Sequence, residues 1–180
     1  MQIHQFKKQL LEIKEIVRET SMSVSLSFAL PDSLKENYKF IAGQYLTLET
    51  MINGDLTSRD YSISSSPNSG ELNVTIKEIK NGLFSSYANK SLKKGDFLKV
   101  ATPKGRFIFE PSKESSNTIV AFAAGSGITP IMSIIKTVLT ETTNQKCILF
   151  YGNQTKNTTV FHKTLIELES YYRDRLKTVS

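Results

Sequence analysis

The chain has 180 residues and a net charge of +6, with 39% hydrophobic and 22% charged residues, as in an ordinary globular protein of one or two small domains. No apolar run approaches the roughly 20 residues of a membrane span, and one cysteine excludes both an internal disulfide and a cluster held by four thiolates. The lysines (Lys35, Lys77, Lys80, Lys93, Lys94, Lys99, Lys136, Lys163) are dispersed, not massed in a nucleic-acid-binding stripe. Such a surface favours anionic cofactors and acidic partners. The polar start Met1-Gln2-Ile3-His4-Gln5 lacks the apolar core of a signal peptide, so the expected location is the cytoplasm, with no membrane partner.

Leu10 to Arg18 reads two ways, because Leu10, Ile13 and Val17 also fit a helical face. Val24, Leu26 and Phe28 alternate with Ser23, Ser25 and Ser27, the pattern of a half-buried strand stopped by Pro31-Asp32-Ser33. Gly43 to Leu48 predicts a strand ended by the Asn53-Gly54-Asp55 turn. Arg59 to Ser64 follows, then the Pro67–Gly70 turn and an alternating strand through Leu72, Val74 and Ile76. Asn81-Gly82 breaks that strand, Leu83 to Lys90 predicts a short helix, and Phe97–Thr102 and Arg106–Phe109 predict two more strands. Many short strands with one short helix predict a six-stranded antiparallel barrel over residues 1–112.

The pattern changes at the polar linker Pro111 to Asn117. The apolar run Ile119 to Ala124 predicts a parallel strand buried on both faces. Gly125-Ser126-Gly127-Ile128-Thr129-Pro130 follows, with Pro130 suited to a first helical turn and Thr129 as candidate N-cap. Ile131, Ile134, Ile135, Val138 and Leu139 recur at helical spacing; Cys147–Tyr151 is a second strand, Val160–Tyr172 a second helix, and the last residues begin a third strand. Residues 113–180 therefore predict a Rossmann-like parallel β/α unit with fewer strands than such sheets normally have.

Two stretches carry candidate chemistry. Arg59-Asp60-Tyr61-Ser62 combines a guanidinium that can hold phosphate by paired hydrogen bonds, a flat ring and small hydroxyls. That suits a flat, phosphate-bearing cofactor, and it equally suits a plain edge strand running into a Ser/Pro turn. Gly125-x-Gly127 between a buried strand and a helix is a nucleotide-phosphate turn, where glycines admit the ligand backbone-close and the helix start supplies N–H groups. Pro130 stands where the dinucleotide fingerprint has its last glycine. His4 and His162 have no partner constellation and read as surface residues. No metal ligand set is expected.

Arg59-x-Tyr61-Ser62, then Gly82-x-x-Ser85, then Gly125-x-Gly127-x-Thr129-Pro130, in that order, resemble the ferredoxin–NADP reductase family. Within it, Gly43-Gln44-Tyr45, Lys77 to Asn89 and Ala123 to Lys136 are most similar to the reductase components of phenylacetyl-CoA epoxidases. The resemblance implies an FAD-dependent NAD(P)H oxidoreductase. Arg59 would bind the flavin pyrophosphate, Tyr61 would pack on the ring, and Ser62 would face its reactive nitrogen. Backbone around Thr75, Ile76 and Lys77 would line the flavin, and Gly82, Leu83, Phe84 and Ser85 would hold the pyrophosphate. Gly125, Ser126, Gly127, Thr129 and Pro130 would take the nicotinamide nucleotide. Hydride would pass from NADP or NAD to the flavin, and single electrons would leave for an iron–sulfur domain and an oxygenase of phenylacetate degradation.

Other acceptors, ferredoxin or haem, fit the same residues. A barrel binding nucleic acid is the alternative from another class. Ala42 stands where the family has proline, and no arginine follows Tyr151-Gly152-Asn153. The absence of a carboxylate there favours NADP over NAD. With Cys147 the sole cysteine, a 2Fe–2S cluster is expected only in a longer protein, and the chain reads as C-terminally truncated.

Overall fold

The structure, a computed structural model, describes residues 7–179. The first six strands are β1 (Lys8–Thr20), β2 (Ser23–Phe28), β3 (Tyr45–Ile52), β4 (Asp55–Ser62), β5 (Asn73–Lys77) and β6 (Phe97–Ala101). They form one antiparallel sheet in the order β4-β3-β6-β1-β2-β5. The sheet curls until its outer strands meet through the Ile63↔Val74 bridge and the Ser64 N–H to Asn73 O bond of 2.8 Å. The ambiguous Leu10–Arg18 segment is strand. Leu11 and Ile13 are buried while Leu10 and Val17 of the supposed helical face are exposed, because pairing to both β2 and β6 imposes a period of two.

The β3–β4 hairpin turns on Asn53 (φ 54°) and Gly54 (φ 89°), the left-handed pair that a two-residue turn between twisted strands requires. Arg106–Phe109 is not a strand. Gly105 (φ 128°) turns the chain, and only the isolated bridges Tyr45↔Lys104 and Ala42↔Phe109 remain. Phe107 and Ile108 are consecutive and both exposed, so no alternation develops. The serine side of β2 also departs from expectation, since Ser23 and Ser27 are buried.

Helix α1 (Leu83–Lys90) follows β5 and buries Phe84 and Ala88 in the barrel core. Buried Asn89 ties it down, its Nδ2 donating to Ser85 O (2.9 Å) and Ile76 O (3.2 Å). The Arg18 guanidinium in turn donates to Asn89 O (2.6 Å) and Oδ1 (3.0 Å). The barrel thus fixes the helix whose start faces the site.

The second half comprises β7 (Thr118–Ala124), α2 (Ile128–Glu141), β8 (Lys146–Gly152), α3 (His162–Tyr172) and β9 (Leu176–Val179). Its strands are parallel, in the order β7-β8-β9. Successive crossovers of one hand in one direction put both helices on the same side. The expected burial of Ile119–Ala124 on both faces is therefore not met: Val120 is 52% and Phe122 72% exposed, and Phe122 stacks on Phe150 with ring centres 5.0 Å apart. The halves meet where Ala42 and Phe109 join the second core and where Ser133 Oγ donates to Ser65 O at 2.6 Å.

Candidate active site

A cavity of about 340 Å³ opens between β4, β5, α1 and the β7–α2 turn. It is lined by Arg59, Tyr61 and Ser62, by Thr75 and Lys77, by Gly82 to Ser85, and by Ser126 and Thr129. β4 is the outer strand of the sheet, bonded only to β3 along its length, so its free edge borders the cavity. Tyr61 leans on Phe84, with ring centres 5.6 Å apart and planes tilted by 41°. Burial pushes its hydroxyl up to about 12, against the opposing pull of Arg59. It therefore presents a neutral, flat, apolar surface. Arg59 is exposed, with Nη1 donating to Ser58 O at 2.7 Å, and the adjacent Asp60 is engaged by Thr47 Oγ1 at 2.6 Å.

The start of α1 forms the opposite wall. Among the described residues no side chain caps the helix, whose N-cap is Gly82, so its first N–H groups are open to an anion. A Cβ on Gly82 would stand 2.4 Å from both Ile79 Cγ1 and Ser85 Oγ. Ser85 Oγ is itself fixed, donating to Gly82 O (3.2 Å) and accepting the Ile79 N–H (3.2 Å). A ring platform, a guanidinium and an uncapped helix start on one cavity fit a flat cofactor carrying phosphate.

A second cavity of about 400 Å³ shares Gly82 and Leu83 and continues past the helix start to Ile52, Asn53, Tyr87 and Lys90. Sequence reasoning missed it. It joins the β3–β4 turn to α1, and no local motif marks that long-range pairing.

A third cavity, of about 590 Å³, lies at the ends of β7 and β8 and is lined by Lys77, Ile79, Ala124 to Ser126, and Gly152 to Gln154. Gly125 takes φ 51°, and a Cβ there would lie 3.9 Å from Lys77 Nζ. Lys77 thus borders both the ring cavity and the glycine turn. The Tyr151 hydroxyl lies 2.9 Å from Gly125 O and 3.2 Å from Val160 O, alternative acceptors for its one proton, and so ties the turn to the segment before α3. Asn153 also lines this cavity: among the described residues its Nδ2 makes no hydrogen bond of standard geometry, but its amide acts on the neighbouring Tyr151 hydroxyl, opposing the burial that pushes that group up to about 12. Asn153 and Gln154 were also missed, since an amide after a strand carries no signature of its own.

Of the residues expected from sequence, Arg59, Tyr61, Ser62, Lys77, Gly82, Leu83, Phe84, Ser85, Ser126 and Thr129 gather on the first cavity, and Gly125 on the third. Ile76 is fully buried in the barrel core, because strand alternation turns Thr75 and Lys77 toward the cavity instead. Gly127 borders open space, and Pro130 sits in the first turn of α2. Thr129 is not the N-cap: it lies inside α2 after a 3-10 turn at Gly125–Gly127, and its hydroxyl donates back to Ser126 O at 2.9 Å. His162 is exposed, and His4 lies outside the described residues. Cys147 is buried, and burial raises its thiol to about 11. Among the described residues no group of three or more His, Cys, Asp or Glu side chains is placed to hold a metal, and no helix is long and apolar enough to cross a membrane.

An exposed guanidinium, a flat ring and an uncapped helix start line the same cavity as residues of a strand–glycine–helix turn, an arrangement that could receive two nucleotide cofactors. The chain belongs to the oxidoreductase FAD-binding domain family, whose model matches residues 8–109, and residues 122–180 match the oxidoreductase NAD-binding domain. It is 38% identical to one component of the 1,2-phenylacetyl-CoA epoxidase of Escherichia coli over 93% of this chain and 47% of that one. It is 34% identical to the ferredoxin reductase component of the 3-ketosteroid-9-alpha-monooxygenase of Rhodococcus rhodochrous over 98% of this chain and 50% of that one. The chain thus spans about half the length of the curated relatives it matches. Its fold is that of ferredoxin–NADP+ reductase from Plasmodium falciparum, solved with 2′P-AMP (TM-score 0.81, 19% identity, 96% of this chain and 72% of that one).

Proposed function

We propose that this chain is the flavin and pyridine-nucleotide part of an FAD-dependent NAD(P)H oxidoreductase. The observation that carries the reading is one cavity lined at once by Arg59, Tyr61 and the α1 start and by Ser126 and Thr129 of the glycine turn. When bound, the flavin supplies hydride acceptance and single-electron release. The chain's own residues bind and orient. Arg59 and the α1 start hold the pyrophosphate, Tyr61 and Ser62 face the ring, and the cavity at Tyr87 receives the adenosine. Gly125 to Thr129 and Asn153 take the nicotinamide nucleotide, and Lys77 stands between the two anionic ligands. No carboxylate occurs from Gly152 to Thr159, which favours NADPH over NADH. We set the domain boundary between residues 112 and 113, inside the segment without helix or strand that separates β6 from β7.

We infer further that single electrons pass to an iron–sulfur centre feeding an oxygenase, in the catabolism of phenylacetate, in the cytoplasm. The support is the likeness to components of an epoxidase and of a monooxygenase. The test is a visible spectrum of the purified chain with added FAD, followed by anaerobic NADPH. Stoichiometric FAD uptake and bleaching of its bands are expected. A colourless protein that takes up no FAD overturns the reading, and binding of single-stranded DNA with steep salt dependence would point to the nucleic-acid alternative.

A further inference from the structure

The outer face of β2 and β5 carries a chain of hydroxyls that the binding roles above leave unused. Ser25 and Thr75 are register partners, with their oxygens 2.8 Å apart. Ser25 Oγ also donates to Glu19 Oε1 at 2.6 Å. Thr75 is buried and lines the ring cavity, whereas Glu19 is half-buried at the far end of β1. The chain therefore leads from the cavity to a surface carboxylate.

Its hydrogen bonds have a direction. A serine hydroxyl has one proton, and that of Ser25 is committed to Glu19. Ser25 must then accept from Thr75 across the 2.8 Å contact. The competing bond from Thr75 to Ser64 Oγ is longer, at 3.3 Å. With its proton turned to Ser25, Thr75 keeps a lone pair free on the oxygen. The order runs from Thr75 through Ser25 to Glu19. Across the interface lies Lys136 of α2, which burial holds below the ordinary lysine range against the opposing charge of Glu19.

We propose that Thr75, Ser25 and Glu19 form a proton exit from the flavin cavity to the surface. This rests on the flavin reading above, which creates the need for it. A hydride brings two electrons and one proton to the cofactor. Two one-electron acceptors, such as iron centres or ferricyanide, remove the electrons only. A bound flavin that accepted hydride and gave up single electrons would therefore keep one proton per cycle, which would have to leave the cavity. Thr75 Oγ1 takes the proton while its own passes to Ser25 Oγ and that of Ser25 to the Glu19 carboxylate. Glu19 releases it to solvent, and rotation of the two hydroxyls restores the starting order. Thr75 borders the ring cavity, while Ser25 and Glu19 act through it and are positioning residues.

The experiment uses the full chain loaded with ¹⁵N-labelled FAD and reduced with dithionite, without turnover. NMR measures exchange of the ring N–H protons with water. Ser25→Ala is expected to slow that exchange about a hundredfold, the lower range of what a positioned proton acceptor contributes. Glu19→Gln, a half-buried site that can change without opening the core, is expected to slow it as well, and Ser25→Thr to restore the parent rate. A role confined to holding β2 against β5 would change melting temperature and leave exchange untouched. Unchanged exchange in Glu19→Gln and Ser25→Ala, with FAD bound, overturns the exit alone. A chain that takes up no FAD overturns the functional reading and the exit with it.

Discussion

The two halves of this molecule build their ligand sites by different means. The flavin half sets side chains on a closed scaffold opposite the uncapped start of α1. Arg59, Tyr61 and Ser62 stand on a strand whose sheet curls back on itself, and α1 is anchored through Asn89 and Arg18. The nucleotide half uses backbone. Its turn at Gly125–Gly127 is built of two glycines and a serine, on a sheet whose open face shows Phe122 and Phe150. A side-chain site is damaged by truncation, whereas a backbone site is damaged by added bulk. The two halves should therefore answer to opposite kinds of substitution.

Gly127→Val should have the largest and most one-sided effect. Gly127 has φ −63°, and nothing lies within 4 Å of its added Cβ, so stability should change by less than about 0.5 kcal/mol. The new side chain would occupy the phosphate approach. Rapid-mixing measurements should find FAD bound and its reduction by NADPH abolished. Normal reduction would remove the glycine turn from the second site. Next in size, Phe84→Ala should cost about 3–5 kcal/mol in a urea titration, because Phe84 is 1% exposed in the barrel core and supports Tyr61. FAD should bind more weakly at once, since its platform loses support. Arg59→Ala should leave the melting temperature unchanged and weaken FAD binding by about 1.5–3 kcal/mol, the worth of a charge-assisted hydrogen bond. Equal FAD affinity in equilibrium dialysis would assign the pyrophosphate elsewhere.

What was legible in the sequence follows the same division. Local features read well. The Asn53-Gly54 turn, the α1 start after Gly82 and the β7–glycine–α2 turn are each set within a few residues. Features decided by distant pairing read poorly. Leu10 to Arg18 has the composition of either element, and only its bonding to β2 and β6 makes it a strand. Arg106–Phe109 has strand-like residues, but Gly105 and the contact of Phe107 O with Gly43 bend it away from the sheet. The run Ile119–Ala124 signals a two-sided strand, although in residues 7–179 one side has no cover. The cavity at Tyr87 and the Ser25–Thr75 pairing depend on which strands become neighbours, which no local window contains.

Ser133→Ala tests whether the halves fold as one body. Ser133 is fully buried, and its hydroxyl meets Ser65 O across the interface. Removing it leaves a buried carbonyl short of a partner, at a cost of about 1 kcal/mol. If the halves unfold together, the single urea transition should shift without changing slope. Two resolved transitions would mean that the glycine turn is held against the flavin cavity by little more than this contact.

Acid should separate the halves most gently. The carboxylates held below their ordinary range are Asp32, Glu49 and Glu78, all in the flavin half. For Glu49 the main cause is the hydrogen bond from Lys8 (2.5 Å), with Lys99 at 3.4 Å behind it. Glu49 itself is little exposed, but the lysine stems that cover it are partly in solvent, so each contribution is small. A carboxylate whose folded value lies below its unfolded one stabilises fully above the unfolded value of 4.5 for Glu49 and loses that contribution as pH falls through the folded value. In the second half the ion pair Lys163–Glu167 joins two exposed side chains at 3.8 Å, and it has little to lose. Amide exchange corrected for intrinsic rates, compared between neutral pH and values below 4.5, should therefore show protection falling first at β1, β3 and α1 and later at α2 and β8. The reverse order would mean that the one-sided sheet, not the ion-paired barrel, limits stability in acid.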